Sequence, residues 1–132
     1  MSNIQSRYMY CSRMASDDVV NQVASIVKVA REFNASQGIS GMLVFDGQHF
    51  CQYIEGPGEP LAELVGRIGR DPRHKRIRDL LPLGASESRL FESWSMAYQI
   101  VDDSNRLERF FSLQGQEAVE NLLRLIPELD RA

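Results

Sequence analysis

Met42-Leu43-Val44-Phe45-Asp46-Gly47-Gln48-His49-Phe50-Cys51-Gln52-Tyr53-Ile54-Glu55 is the stretch from which the architecture can be worked out. Met42 to Phe45 and Gln48 to Glu55 are strand-like runs, and the Asp46-Gly47 between them is a dipeptide that favours a two-residue hairpin turn. In that register Phe45 faces Gln48, Leu43 faces Phe50 and Gly41 faces Gln52. Side chains alternate across a strand, so Phe50, Gln52 and Ile54 share one sheet face with Leu43 and Phe45. Gln52 is then a polar amide on the most apolar face of the hairpin, opposite a glycine that leaves space beside it. A buried amide needs a hydrogen-bond partner, so Gln52 marks a candidate ligand site.

Upstream, Arg7 to Ser12 suits a short strand, and Ser16-Asp17-Asp18 can cap a helix running from about residue 17 to 33. Its apolar positions Val19, Val20, Val23, Ala24, Ile26, Val27, Val29, Ala30 and Phe33 cover more than half the circumference, which calls for more than one packing neighbour. Asn34 points into the middle of that arc if the winding continues, while Gly38 and Gly41 break the helix. Downstream, Gly56-Pro57-Gly58-Glu59-Pro60 turns into a second helix with the stripe Leu61, Leu64, Val65 and Ile68, flanked by Arg67. Leu80 to Leu83 suits a short strand and Leu90 to Val101 a longer one, with Trp94, Met96, Tyr98 and Ile100 on one side. The order βαββαββ fits a mostly antiparallel, ferredoxin-like α+β sheet with two helices on one face. Residues 104–113 and 116–126 read as a helical extension divided at Gly115, whose stripe of Val119, Leu122, Leu123 and Ile126 must cover the other sheet face or a partner.

The 132 residues, with 43% hydrophobic content and a net charge of -3, suit a single globular core. Scattered Lys and Arg give no footprint for a nucleic-acid backbone. Neither a long apolar run nor a signal-peptide pattern is present, so the expectation is a cytoplasmic protein without a membrane span. Cys11, Cys51, His49 and His74 lack zinc spacing, and the two cysteines read as ordinary thiols. Gly66-Arg67-Ile68-Gly69 imitates an RNA-binding GxxG loop, but it falls inside a helix without a basic surround.

Five blocks in order, Arg7-Tyr8-Met9-Tyr10-Cys11-Ser12, Asn34 through Gly38-Ile39-Ser40-Gly41, Phe50 to Gly56, Asp71-Pro72-Arg73-His74 and Phe91 to Met96, resemble the BLUF family of blue-light sensors. The resemblance spans roughly residues 5 to 100 and implies a flavin held non-covalently between the two helices, usually FAD, with FMN or riboflavin as alternatives. It implies that Tyr10 is the photochemical electron donor and that Gln52 bridges this tyrosine and the flavin. It further implies that Asn34 and Arg67 contact the flavin, that Ile26, Phe50, Ile68 and Asp71 line the pocket, and that Trp94 and Met96 are associated with the switch. On that reading light draws an electron and a proton from Tyr10, Gln52 rotates or tautomerises, and the outcome is a changed hydrogen bond rather than a net reaction. Ala30 departs from the serine common in relatives, one turn before Asn34.

The expected organisation is a flavin-binding photosensor over residues 1–102 and a helical extension over 103–132. Signalling to an unidentified protein partner is expected, with self-association left open and no standalone catalysis. Taken singly, Tyr10 is a half-buried strand tyrosine, Asn34 a helix-end residue, Arg67 a charge whose stem covers an apolar edge, and Trp94 and Met96 core. Two further readings stay open: a flavin-free interaction domain on the same fold, and a small acylphosphatase-like hydrolase.

Overall fold

The computed structural model describes residues 5–14, 23–71, 74–86, 90, 97–100 and 107–125. Strand β1 (Gln5–Met14) is followed by helix α1, described over Val23–Gln37, and by the hairpin of β2 (Ser40–Phe45) and β3 (His49–Pro57). Helix α2 (Gly58–Gly69), strands β4 (His74–Ser86) and β5 (Ala97–Ile100), a 3-10 turn (Glu108–Ser112) and helix α3 (Gly115–Leu125) complete the chain. The sheet order is β4-β1-β3-β2-β5. All neighbours are antiparallel except β2 and β5, which run parallel. The expected βαββαββ order and ferredoxin-like α+β class are therefore those of the molecule.

Two apolar layers flank the sheet. On one face Tyr8, Tyr10, Leu43, Phe45, Phe50 and Ile54 pack with Val27 of α1 and Leu61 of α2. On the other, Met9, Cys11, Met42, Val44, Cys51 and Tyr53 pack with Leu107, Phe110 and α3. These sets follow the period-2 alternation of the strands. The extension thus covers the sheet's second face, through Ala118, Val119, Leu122 and Leu125.

Several boundaries differ from the sequence expectation. The hairpin turns on Gly47-Gln48 rather than Asp46-Gly47, because the Asp46 carboxylate accepts the N–H groups of Gln48 at 3.0 Å and His49 at 2.7 Å. That side-chain turn fixes aspartate before the corner. Pairing shifts by two residues, so Phe45 faces Phe50 and Gln52 faces Leu43, with the faces preserved because the shift is even. Gly41 consequently pairs with Ile54, and its missing side chain admits the backbone of β3, since a Cβ there would lie 2.1 Å from the Tyr53 carbonyl oxygen. It leaves no space beside Gln52.

Helix α1 runs on to Gln37, four residues past the expected end, and closes where Gly38 takes φ +72 and the Ile39 N–H bonds the Asn34 carbonyl at 2.9 Å. This glycine-dependent closure is a Schellman-type cap. Val29, placed on the apolar arc by periodicity, is 58% exposed. Strand β4 has 13 residues where only Leu80 to Leu83 were expected, and it is irregular against β1 between Arg7 and Met9 and between Met9 and Tyr10. Of the last expected strand, Ala97–Ile100 is described. In the extension the buried stripe uses Ala118 and Leu125 besides Val119 and Leu122. Leu123 is only partly buried, and Ile126 lies outside the described residues.

Candidate functional site

Tyr10 on β1 and Gln52 on β3 are direct cross-strand partners on the face that carries α1 and α2. The Tyr10 hydroxyl donates to Gln52 Oε1 at 2.7 Å, with Tyr10 4% and Gln52 7% exposed. With its oxygen engaged, the amide of Gln52 presents its Nε2 end as a donor. Phe50 lies on the same face and stacks on Phe45, ring centroids 4.7 Å apart. These residues meet because alternation on two adjacent strands directs them to one side.

The helix ends supply the rest. Asn34 is fully buried in the last turn of α1. Arg67 is exposed on α2, and its guanidinium lies 4.7 Å from the centroid of the Phe33 ring. This cation–π contact brings the ends of α1 and α2 together beside Asn34. Ile68 is partly buried against the same core, and the Asp71 N–H bonds the Ile68 carbonyl at 3.1 Å just past α2. Ala30 also packs on this layer. The Ile26 side chain and both Trp94 and Met96 lie outside the described residues.

Several polar residues escaped the reading of the sequence. Tyr8, two residues before Tyr10, stacks on it at 5.8 Å and donates its hydroxyl to Asp79 Oδ1 on β4. Period-2 alternation of the two tyrosines was the available signal for the stack, whereas the irregular β1–β4 pairing hid the aspartate. Burial, then the Asp79 hydrogen bond, pushes the Tyr8 phenol above its ordinary range. On the opposite face, buried Asp46 accepts the Leu107 N–H at 2.9 Å. His49 lies between Asp46, 3.1 Å away, and Glu108 Oε2, 2.7 Å away. Buried Glu55 accepts the Leu90 N–H at 2.9 Å and so ties the approach to β5 to the strand that bears Gln52. Cys11 and Cys51 are fully buried and not disulfide-bonded, and burial raises both thiols, Cys11 to about 12. Such thiols are poor nucleophiles and ligands.

The donor set suits a flat heteroaromatic ring with an edge of alternating carbonyl and N–H groups. Two amides, Asn34 and Gln52, can each donate and accept, and Phe50, Ile54 and Val27 belong to the apolar layer on this face. Among the described residues, no group of three or more His, Cys, Asp or Glu could hold a metal ion, and no helix is long and apolar enough to cross a membrane.

Comparison with known proteins gives a consistent result. The family model described as "Sensors of blue-light using FAD" matches residues 6–97. The chain is 36% identical over 73 residues to the blue light- and temperature-regulated antirepressor of Escherichia coli, covering 55% of this chain and 18% of that protein. It is 35% identical over 98 residues to the photoactivated adenylate cyclase subunit beta of Euglena gracilis, covering 73% of this chain and 11% of that one. The chain therefore spans less than a fifth of the length of these curated relatives. Among solved structures it resembles the BLUF protein BlrB in its dark state at a TM-score of 0.78 and 36% identity, covering 96% of this chain and 97% of that one. BlsA in its ground state gives a TM-score of 0.76 at 26% identity, with 98% and 91% covered. With the match extending through β1, both helices, the hairpin and β4, the chain belongs to the BLUF family, photosensory modules that sense blue light with FAD.

Proposed function

We propose that this chain is a light switch whose moving part is the Tyr10–Gln52 hydrogen bond. The observation that carries the reading is the 2.7 Å contact from the Tyr10 hydroxyl to Gln52 Oε1, buried beneath α1 and α2. A bound flavin supplies the blue-light absorption and the electron-accepting ring. Asn34 and Gln52 would hold its polar edge, Phe50 and Ile68 would flank it, and Arg67, Asp71 and Ile26 would complete the pocket. Tyr10 gives up an electron and its phenolic proton and then regains both. Gln52 relays this proton movement, because its amide both accepts from the phenol and donates at Nε2. Gln52 is left rotated or tautomerised, and the altered hydrogen bond biases two conformations of the protein.

Output passes from a sensor formed by residues 1–102 to the extension of residues 103–132 and on to a protein partner. Two contacts support that route. Glu55, three residues after Gln52, holds Leu90 at the start of the segment carrying Trp94 and Met96, and Asp46 holds Leu107 at the start of the extension. The kind of partner follows by analogy with relatives that are an antirepressor and a cyclase. Spectroscopy of Tyr10→Phe and Gln52→Leu tests the switch. Both should retain flavin and lose the light-induced red shift, since neither replacement can make the hydrogen bond. A normal shift in either variant overturns the assignment.

A further inference from the structure

The face that carries Tyr10 holds a second phenol with its own proton acceptor. Tyr8 and Tyr10 alternate on β1, their ring centroids are 5.8 Å apart and their planes differ by 27°. The two hydroxyls point to different acceptors: Tyr10 to the Gln52 amide oxygen at 2.7 Å, and Tyr8 to the Asp79 carboxylate at 2.5 Å. Asp79 is the β4 residue paired with the backbone of Tyr10, and its carboxylate accepts the Tyr8 hydroxyl. A phenol gives up an electron far more readily when a base takes its proton in the same event, and a carboxylate is a much stronger base than an amide oxygen. Tyr8 is 3% exposed, and its elevated pKa keeps the proton in place at neutral pH. The acceptor lies within the hydrogen-bond reach that proton transfer requires.

We propose that Tyr8 is a second redox-active residue, which refills oxidised Tyr10 and delivers its own proton to Asp79. The proposal rests on the reading of Tyr10 as the light-driven electron donor. One electron passes from the Tyr8 ring to the Tyr10 radical cation, which still holds its phenolic proton. The Tyr8 O–H bond breaks, and an O–H bond forms on Asp79. Tyr10 is again a neutral phenol donating to Gln52, Tyr8 is a neutral phenoxyl radical and Asp79 is a carboxylic acid. One electron would return to Tyr8 from the flavin that took it from Tyr10, and the proton would return from Asp79, which restores the starting state. The oxidant is Tyr10 alone. This branch competes with proton delivery through Gln52.

Transient infrared difference spectroscopy after a blue pulse tests it on the intact, flavin-loaded chain, with amplitudes scaled to the flavin excited. The wild-type protein should show a carboxylic-acid C=O band that moves to lower frequency in D2O. The band should vanish in Tyr8→Phe and in Asp79→Asn, and Asp79→Glu should restore one at a shifted frequency. A band persisting in Tyr8→Phe or Asp79→Asn overturns the proposal. Wild-type protein that undergoes its red shift without any such band also overturns it, leaving the Tyr10–Gln52 switch intact. Wild-type protein that binds flavin and shows neither red shift nor band defeats the switch itself, and this proposal with it.

Discussion

At the scale of single residues, the contact between Tyr10 and Gln52 unites a phenol and an amide whose hydrogen bonds are exchangeable, so a small movement of one proton can change the pattern. Asn34 is a different kind of residue: it is buried at a helix end, where its backbone also closes the cap. Asn34→Ala keeps that backbone bond but removes the side-chain amide, so flavin affinity should fall about tenfold or more, equivalent to roughly 1.4 kcal/mol. Flavin titration of the stripped protein measures this, and an unchanged affinity would remove Asn34 from the pocket. Gln52 could be recognised from sequence because a polar residue interrupted an alternating apolar face. Tyr8 could not be singled out in the same way, since a strand tyrosine is ordinary until its ring and hydroxyl partners are known.

At the scale of elements, Asp46 controls how the hairpin turns and where the extension begins. Its buried carboxylate accepts N–H groups from Gln48, His49 and Leu107. Asp46→Ala should therefore destabilise the protein by on the order of 3 kcal/mol, whereas Gln48→Ala, at an exposed position, should change stability by less than about 0.5 kcal/mol. Urea unfolding midpoints decide between this and a purely local role, for which the two variants would behave alike. Leu122→Ala should cost about 2–5 kcal/mol, because that side chain is fully buried between α3 and the sheet. A near-neutral effect would mean that α3 is not held on the sheet in solution. The element order was legible from periodicity, but the turn register was not. Asp46-Gly47 and Gly47-Gln48 are neighbouring choices for a corner, and the aspartate's backbone bonds select the second. The length of β4 was equally hidden, because irregular pairing and its many exposed residues erase the alternation by which strands are recognised.

At the scale of the whole molecule, the sheet separates the layer under α1 and α2 from the layer under α3, and β1 and β3 contribute to both. Light-dependent hydrogen exchange across residues 90–126 should reveal whether the second layer responds. We expect it to differ between dark and lit wild-type protein and not to differ in Gln52→Leu, and equal exchange in both states of the wild type would redirect output to a partner on the flavin side. Stability should depend on pH in a defined direction. Burial raises Cys11 and Tyr53 to about 12, from 9.0 and 10.0, and raises Tyr8 as well. These groups ionise first in the unfolded chain, so their contribution is complete below about pH 9 and is lost as pH rises through 12. The urea midpoint should accordingly fall from about pH 9 upward, and constancy to about pH 11 would contradict the burial of these groups. The absorption spectrum of the purified wild-type chain before and after blue illumination decides whether this protein is a flavin-based light switch: an oxidised flavin spectrum that shifts slightly to the red and recovers in darkness is expected, whereas colourless protein that takes up no added FAD, FMN or riboflavin, or a bound flavin whose spectrum light leaves unchanged, rules the switch out.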